Sequence, residues 1–139
     1  MKKLLLATFA AFAMLLTASC SKDLELKGTT WTGSYTETAN NEDSGMTRIS
    51  DLKLNFATEN SGTWNIVMKE TTVENGETIT DTERVVFNFD YSISGNSVNI
   101  SCKSLDDPGM LYITGVVNDD HNEMTVSLDG VLVVLKKQK

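Results

Sequence analysis

Apolar and polar residues alternate along much of the chain. The alternation is clear in six stretches, which contain Leu52, Leu54 and Phe56; Trp64, Ile66 and Met68; Val85, Phe87, Phe89, Tyr91 and Ile93; Val98, Ile100 and Cys102; Met124, Val126 and Leu128; and Val131, Val133 and Leu135. Successive side chains of a β-strand point to opposite faces of the sheet. Each stretch therefore predicts a strand with one buried face.

Residues that favour turns stand between these stretches. They are Glu59 to Gly62, Asn75-Gly76, Ser94 to Asn96, Asp107 to Gly109, Asn118 to Asp120 and Asp129-Gly130. Together the alternation and the turns predict eight strands, over residues 29–38, 47–57, 63–73, 82–93, 97–103, 110–117, 123–128 and 131–136. Links this short make neighbouring strands antiparallel.

An all-β meander of eight strands leaves two exposed edges unless the sheet closes. We therefore expect an eight-stranded antiparallel up-and-down barrel, because closure removes both edges. Turns do not give the order in which strands pair, so a Greek-key β-sandwich is the alternative.

Composition agrees with strands and excludes one class of partner. Ala39 and Ala57 are the only alanines after residue 19, whereas threonine occurs there fifteen times, which disfavours helices. The net charge of -7 becomes -9 once the two lysines of the first 19 residues are set aside. This acidic balance argues against a nucleic-acid-binding surface, and the length allows one domain.

The amino terminus has the pattern of a targeting signal. Lys2 and Lys3 precede an uncharged run of 13 residues, Leu4 to Leu16, that is too short to span a bilayer comfortably. Thr17, Ala18 and Ser19 then lead to Cys20, and this arrangement resembles a bacterial lipoprotein lipobox. The resemblance implies that residues 1–19 are removed as a signal peptide, that Cys20 receives acyl chains that bind the membrane, and that residues 20–27 form a tether.

The residues that follow Cys20 indicate where in the cell the protein is located. Ser21 to Glu25 resemble the acidic export tract of Bacteroidota lipoproteins, with Leu24 interrupting the acidic residues. The resemblance implies a lipid anchor in the outer membrane, with the periplasmic and the surface-exposed side both open, and a plain solvated tether is the alternative reading. With Cys20 acylated, Cys102 is the one remaining thiol, and its place in an alternating stretch predicts that it is buried.

A short motif opens the first predicted strand. Gly28 and Trp31, within Gly-Thr-Thr-Trp-Thr-Gly-Ser-Tyr, resemble the Gly-x-Trp opening of lipocalins and other calycins. In that family the tryptophan plugs the closed end of the barrel and a basic residue near the last strand packs over it. The resemblance implies a lipocalin-like barrel over residues 28–139, with Trp31 as the plug and Lys136, or its neighbour Lys137, as the basic partner.

Five aromatic residues are expected inside such a barrel, and they have two interpretations. An eight-stranded barrel is just wide enough to be filled by side chains or to hold one small ligand. Large inward side chains favour a filled core, yet aromatic residues also line apolar ligand cavities. The candidate ligand-binding residues are Trp64, Phe56, Phe87, Phe89 and Tyr91.

The sequence offers little for catalysis. His121 is the only histidine and lies in the polar run Asn118 to Glu123, which is most simply a solvated turn. Zinc sites draw on several His or Cys ligands, and the calcium-loop spacing is absent from this run. We therefore expect no enzyme, no cofactor and no metal.

Two functional hypotheses follow. In the first, an outer-membrane-anchored barrel binds a small apolar or amphipathic ligand in its interior. In the second, the barrel is filled and its outer surface binds a protein or a glycan, with Tyr35, Tyr112 or Trp64 as candidate exposed aromatics.

Overall fold

The computed structural model describes residues 23–40, 44–103 and 109–139. The predicted signal peptide, 1–19, and the predicted lipid attachment site, Cys20, lie outside these residues. Eight strands run in chain order: β1 Thr29–Asn40, β2 Ser44–Phe56, β3 Ser61–Glu74, β4 Glu77–Ser94, β5 Ser97–Lys103, β6 Met110–Val117, β7 Glu123–Leu128 and β8 Val131–Lys137. Within the described ranges, no helix has the length and apolarity that a membrane span requires.

Each strand pairs antiparallel with its neighbour in the chain, and the sheet closes between β8 and β1. The all-β, up-and-down, eight-stranded barrel is thus confirmed, and the strands do not divide into the two sheets of a sandwich. The architecture is consistent with a lipocalin-like fold.

Strand limits agree with the predicted ones to within three residues except at the start of β4. β4 begins at Glu77, five residues before its predicted start at Thr82. Apart from Val73 and Ile79, the sequence of the hairpin between β3 and β4 is polar on both faces, so the alternation that revealed the other strands is missing. A two-residue turn nevertheless keeps the strands paired to their ends, because Asn75 (φ 52°) and Gly76 (φ 82°) both adopt the left-handed conformation of a type I′ turn.

Barrel closure depends on a close approach at Gly33. Two pairs join β1 to β8, Trp31 with Lys137 and Thr32 with Lys136. At the next residue of β1, a Cβ atom on Gly33 would lie 2.5 Å from the carbonyl oxygen of Val134 and 2.8 Å from Leu135 Cδ2. Only glycine leaves room for β8 to cross here.

A single hydrophobic core fills the end of the barrel where β1 begins, which we call the closed end. Among the described residues, seventeen buried side chains form this core: Leu26, Trp31, Leu52, Leu54, Phe56, Trp64, Phe89, Tyr91, Val98, Ile100, Cys102, Ile113, Val117, Met124, Val126, Val133 and Leu135. Leu26 is 1% exposed, and Leu24 packs against the cluster. The packed domain therefore begins inside the predicted tether of residues 20–27, ahead of the predicted boundary at residue 28.

Beyond the core, the first four strands continue as a sheet that we call the wing: residues 33–40 of β1, 44–51 of β2, 66–74 of β3 and 77–86 of β4. These strands have 12, 13, 14 and 18 residues, whereas β5 to β8 have 7, 8, 6 and 7. The short strands end while the long ones continue. The inner face of the wing, defined as the face continuous with the barrel interior, consequently loses the strands that would cover it.

Candidate functional site

Four of the five candidate ligand-binding residues lie within the core. Phe56, Trp64, Phe89 and Tyr91 are buried, and Phe87 is half-buried at the edge of the cluster. The Phe56 ring centroid lies 5.4 Å from that of Phe89 and 4.9 Å from that of Tyr91, both in edge-to-face geometry. These rings therefore contact one another, as the filled-core interpretation requires.

Two buried polar groups have no hydrogen-bond partner among the described residues, Trp64 Nε1 and Ser50 Oγ. Tyr91, in contrast, donates its hydroxyl hydrogen to the Thr58 carbonyl oxygen at 2.7 Å. Burial is the main factor that raises the pKa of Tyr91, and the negative charge of Glu59 adds to the effect. Ser50 lies on the inner face, where the core gives way to the wing.

Trp31 lies at the bottom of the closed end and is 0% exposed. Its indole Nε1 donates a hydrogen bond to Thr29 Oγ1 at 2.8 Å, and Thr29 Oγ1 donates in turn to the Leu26 carbonyl oxygen at 2.5 Å. Of the two lysines predicted to cover it, Lys137 has its Nζ 6.0 Å from the ring centroid, whereas Lys136 is exposed on the alternate face.

Cys102 lies in the hydrophobic core, and His121 lies in a turn between β6 and β7. Cys102 is buried in the core, as predicted, and burial raises the pKa of its thiol, which disfavours the reactive thiolate. His121 has φ 53° in a turn that Asn118 organises, because Asn118 Oδ1 accepts the backbone N–H groups of Asn122 and Glu123 at 3.0 Å each. In the described parts of the chain, no three His, Cys, Asp or Glu side chains cluster as metal ligands would.

Charged side chains form a row across the inner face of the wing. Register places Glu37 opposite Arg48, Arg48 opposite Glu70, and Glu70 opposite Asp81, each on a different strand. Arg48 Nη2 donates to Glu70 Oε2 at 2.6 Å, and Arg48 Nη1 lies 3.8 Å from Glu37 Oε2. The hydrogen bond that Arg48 donates to Glu70 is the largest cause that raises the pKa of Arg48.

The two faces of the wing have opposite charge. Strand alternation assigns one basic and six acidic side chains to the inner face: Arg48, Glu37, Glu70, Glu74, Glu77, Asp81 and Glu83. The outer face of the wing has Lys69 and Arg84 with Asp51, and Lys53 lies on the same face one row closer to the closed end. A hollow of about 350 Å³ on the inner face is lined by Arg48, Met68, Glu70, Asp81 and Glu83.

The outer face of the wing is rich in hydroxyl groups. Thr38, Thr47, Thr71 and Thr80 occupy one row across all four strands. Between this row and the barrel, a hollow of about 610 Å³ contacts Lys53, Arg84 and seven other residues.

A third hollow lies where β4 and β5 separate. Its volume is about 580 Å³, and its apolar lining includes Phe87, Phe89 and Met110. The β4–β5 ladder ends at the pair Phe89 with Cys102, so the two strands diverge at this point.

Tyr112 is the exposed aromatic of the three that the sequence suggested. It is 76% exposed on the outer face of β6 beside a shallow hollow of about 380 Å³, whereas Tyr35 is half-buried and Trp64 is buried. An exposed aromatic is the feature that favours a surface-binding role over an interior one.

The chain matches no family model, no curated protein and no solved structure. Its function is therefore inferred from its own geometry. The charged row of the wing was not predicted from the sequence, although the Asn75-Gly76 turn carries a usable signal. A two-residue turn sets the β3–β4 register, and that register alone places Glu70 opposite Asp81.

Proposed function

We propose that the protein is a lipid-anchored interaction module that binds a positively charged polypeptide on the inner face of the wing. The observation that carries this proposal is the excess of carboxylates on that face, where Arg48 is the single cation among the described side chains. The hypothesis of a surface-acting barrel also fits the mutual packing of Phe56, Phe89 and Tyr91.

The position of Leu24 supports an orientation for the module. With acyl chains on Cys20, as the lipobox resemblance implies, only residues 21–23 separate the anchor from Leu24, which packs on the closed end. Four residue steps span at most about 14 Å. The closed end would then lie near the membrane and the wing would extend away from it, where a partner can reach it.

Basic and acidic probe peptides test the binding. The probe is a fluorescein-labelled peptide of six Lys-Thr repeats, and the control is six Glu-Thr repeats, each titrated by fluorescence anisotropy into the soluble domain at low and high salt. We expect saturable binding of the basic peptide alone, weakening as salt rises because the attraction is screened. Equal affinity for the two peptides, or no binding of either, would contradict the proposal.

Charge variants locate the site. The triple substitution Glu37→Gln, Asp81→Asn and Glu83→Gln removes three negative charges from the inner face, and we expect affinity for the Lys-Thr peptide to fall by about tenfold or more. The matched control removes charges elsewhere with Asp51→Asn, Asp90→Asn and Asp129→Asn, and should change affinity by about twofold at most. Similar losses in both variants would refute a site on the wing.

The anchor has its own test. Metabolic labelling with an alkyne analogue of palmitate should mark the wild-type protein in the membrane fraction, and Cys20→Ala should abolish the label. Labelling of Cys20→Ala at the wild-type level would exclude Cys20 as the attachment site. Protease treatment of intact cells would then distinguish the surface-exposed side of the outer membrane from the periplasmic side.

The apolar hollow between β4 and β5 favours a second candidate, the binding of a small apolar ligand. At about 580 Å³ it has the size of a ligand pocket, and Phe87 and Phe89 were expected ligand contacts. A fluorescent fatty acid should bind saturably to the wild type and lose its signal in Met110→Glu, while Val131→Glu is the control. A saturable signal unchanged in Met110→Glu would exclude this hollow.

A further inference from the structure

β4 extends far beyond the strand beside it. Its pairing with β5 begins at Phe89 with Cys102, so residues 77–88 pair with β3 on one side and with no described residue on the other. Twelve residues of strand correspond to roughly 40 Å of edge, which we call the free edge because the described residues place no strand beside it. Such an edge presents unpaired N–H and C=O groups that can accept another strand.

The turn identifies which backbone groups face the free edge. Across a two-residue hairpin turn the flanking residues, Glu74 and Glu77, form a pair that exchanges both backbone hydrogen bonds. Hydrogen-bonded and non-hydrogen-bonded pairs then alternate along β4. The odd-numbered residues of β4 bond to β3, and the even-numbered residues, from Thr78 to Val86, direct both backbone groups to the free edge.

The β4–β5 hairpin gives the same assignment independently. Ser94 and Ser97 flank the two-residue turn Gly95-Asn96, so even-numbered Ser94 bonds toward β5. Because β5 lies on the side of β4 away from β3, even-numbered residues face that side along the whole strand. The five edge-directed residues of the wing are Thr78, Thr80, Thr82, Arg84 and Val86.

Residues 77–88 carry one device with which proteins commonly protect such an edge, namely charged side chains, but lack two others. The segment contains no proline and no lysine. Its negatively and positively charged side chains lie on different faces, since Glu77, Asp81 and Glu83 lie on the inner face and Arg84 lies on the outer face. The edge is thus polar enough for solubility and open to a strand of matching charge.

We propose that the positively charged partner binds as an added antiparallel strand along the free edge of β4, with basic side chains at every second residue. This inference rests on the proposed function and specifies how the partner is held. A residue opposite Asp81 or Glu83 occupies a non-hydrogen-bonded pair, in which side chains are closest. A basic side chain there is therefore attracted most strongly to the carboxylate.

A second copy of the chain is a poorer occupant of this edge. In a continuous sheet made by antiparallel pairing of the β4 edges of two copies, both inner faces lie on the same side of the sheet. Odd-numbered residues of one copy then lie opposite odd-numbered residues of the other. The central registers place Asp81 opposite Glu83, or Glu83 opposite itself. Like charges directly opposite each other oppose such a dimer.

The experiment uses two N-methylated forms of the Lys-Thr peptide in the anisotropy titration. In the proposed complex the threonines form hydrogen-bonded pairs with β4, and the lysines lie opposite its carboxylates and direct their N–H groups away. Methylation of the threonine nitrogens should therefore weaken binding by about tenfold or more. Methylation of the lysine nitrogens, which leaves the same charge and length, should change affinity by about threefold at most.

Two variants of the protein, instead of the peptide, test the same edge. Thr80→Pro removes an edge-directed N–H without removing a backbone hydrogen bond to β3, and proline is tolerated at edge positions whose N–H faces solvent. The side-chain contact of Thr80 Oγ1 with Thr71 Oγ1, at 3.4 Å, is lost equally in Thr80→Pro and Thr80→Ala. We expect Thr80→Pro to weaken binding by about tenfold while Thr80→Ala binds like the wild type, with melting temperatures measured for both.

The outcomes separate the two proposals. If both methylated peptides bind like the parent and neutralising the inner face still weakens binding, the partner binds on the wing but not as a strand, and this inference is wrong. If the parent peptide does not bind, the proposed function fails first. An increase in mass to a dimer on light scattering, without peptide, would favour the second copy as the occupant and overturn the assignment.

Discussion

The closed end and the wing are built from the same four strands, yet their inner faces have opposite character. At the closed end one row across the strands is Trp31, Leu54, Trp64 and Phe87, and in the wing the row is Glu37, Arg48, Glu70 and Asp81. The first row is covered by β5 to β8. The second extends beyond the ends of those shorter strands, so charges there remain in contact with water.

This difference shows that strand length, and not only strand pattern, determines which residues form the core. Side chains alternate between the two faces of the sheet in both regions, but only the closed end has strands on the opposite side of the barrel. The folding free energy should therefore reside in the closed end, and the wing should open locally at lower cost. Four substitutions test that contrast, beginning with the largest expected effect.

Trp31→Ala should lower the free energy of unfolding by about 3–5 kcal/mol, the usual cost of removing a fully buried large aromatic side chain. The cavity would open beneath Lys137 at the bottom of the core. Urea denaturation followed by Trp64 fluorescence would measure the change. A loss below about 1 kcal/mol would show that the closed end is not the main source of stability.

Gly33→Ala should cost about 1–3 kcal/mol, because the new methyl group would collide with the backbone of β8 at Val134. Gly45→Ala is the matched control within the wing. Its Cβ would meet the flexible side chain of Asn40 at 3.1 Å and should cost about 1 kcal/mol at most. If the two variants are equally stable, β8 does not constrain β1 at closure.

Gly76→Ala should destabilise the end of the wing by about 1–2 kcal/mol, since alanine is strained at φ 82°. The barrel lies at the other end of these strands, so the global melting temperature should change little. Hydrogen exchange should become faster at the β3–β4 hairpin and stay unchanged in β5 to β8. Faster exchange throughout the barrel would show that wing and closed end unfold as one unit.

Arg48→Met should have the smallest effect, at most about 1 kcal/mol, because the ion pairs of Arg48 are partly exposed and screened by solvent. The effect should shrink as salt is added. Lys69→Met, on the opposite face, is the control and should be close to neutral. A salt-independent loss above about 2 kcal/mol would mean that the charged row is a structural element comparable to the core.

Much of the fold was predictable, because the signals of a meander are local. Strands β5, β6 and β7 have the predicted limits, and Cys102 is buried as its alternation with Val98 and Ile100 indicated. The start of β4 was not predicted because residues 77–81 are polar at most positions and show no apolar alternation. Leu26 was assigned to the tether because two leucines separated by one residue are too few to reveal packing.

The candidate site was predictable only in part. Aromatic residues at inward positions were identified correctly as interior, but alternation does not tell whether rings line a space or fill it. That depends on distances such as the 4.9 Å between the rings of Phe56 and Tyr91, which join different strands. The charged row required the register of four strands at once.

By itself the sequence determined the strands, their antiparallel order and the acidic balance of the chain, because each depends on neighbours within a few residues. Only the tertiary structure decided that Lys137 covers Trp31, that Gly33 admits β8, and that β4 has a free edge. The first two features arise from pairing between strands far apart in the chain, and the third arises from the difference in length between β4 and β5. Their geometry follows from relative strand lengths and closure, which no local pattern encodes.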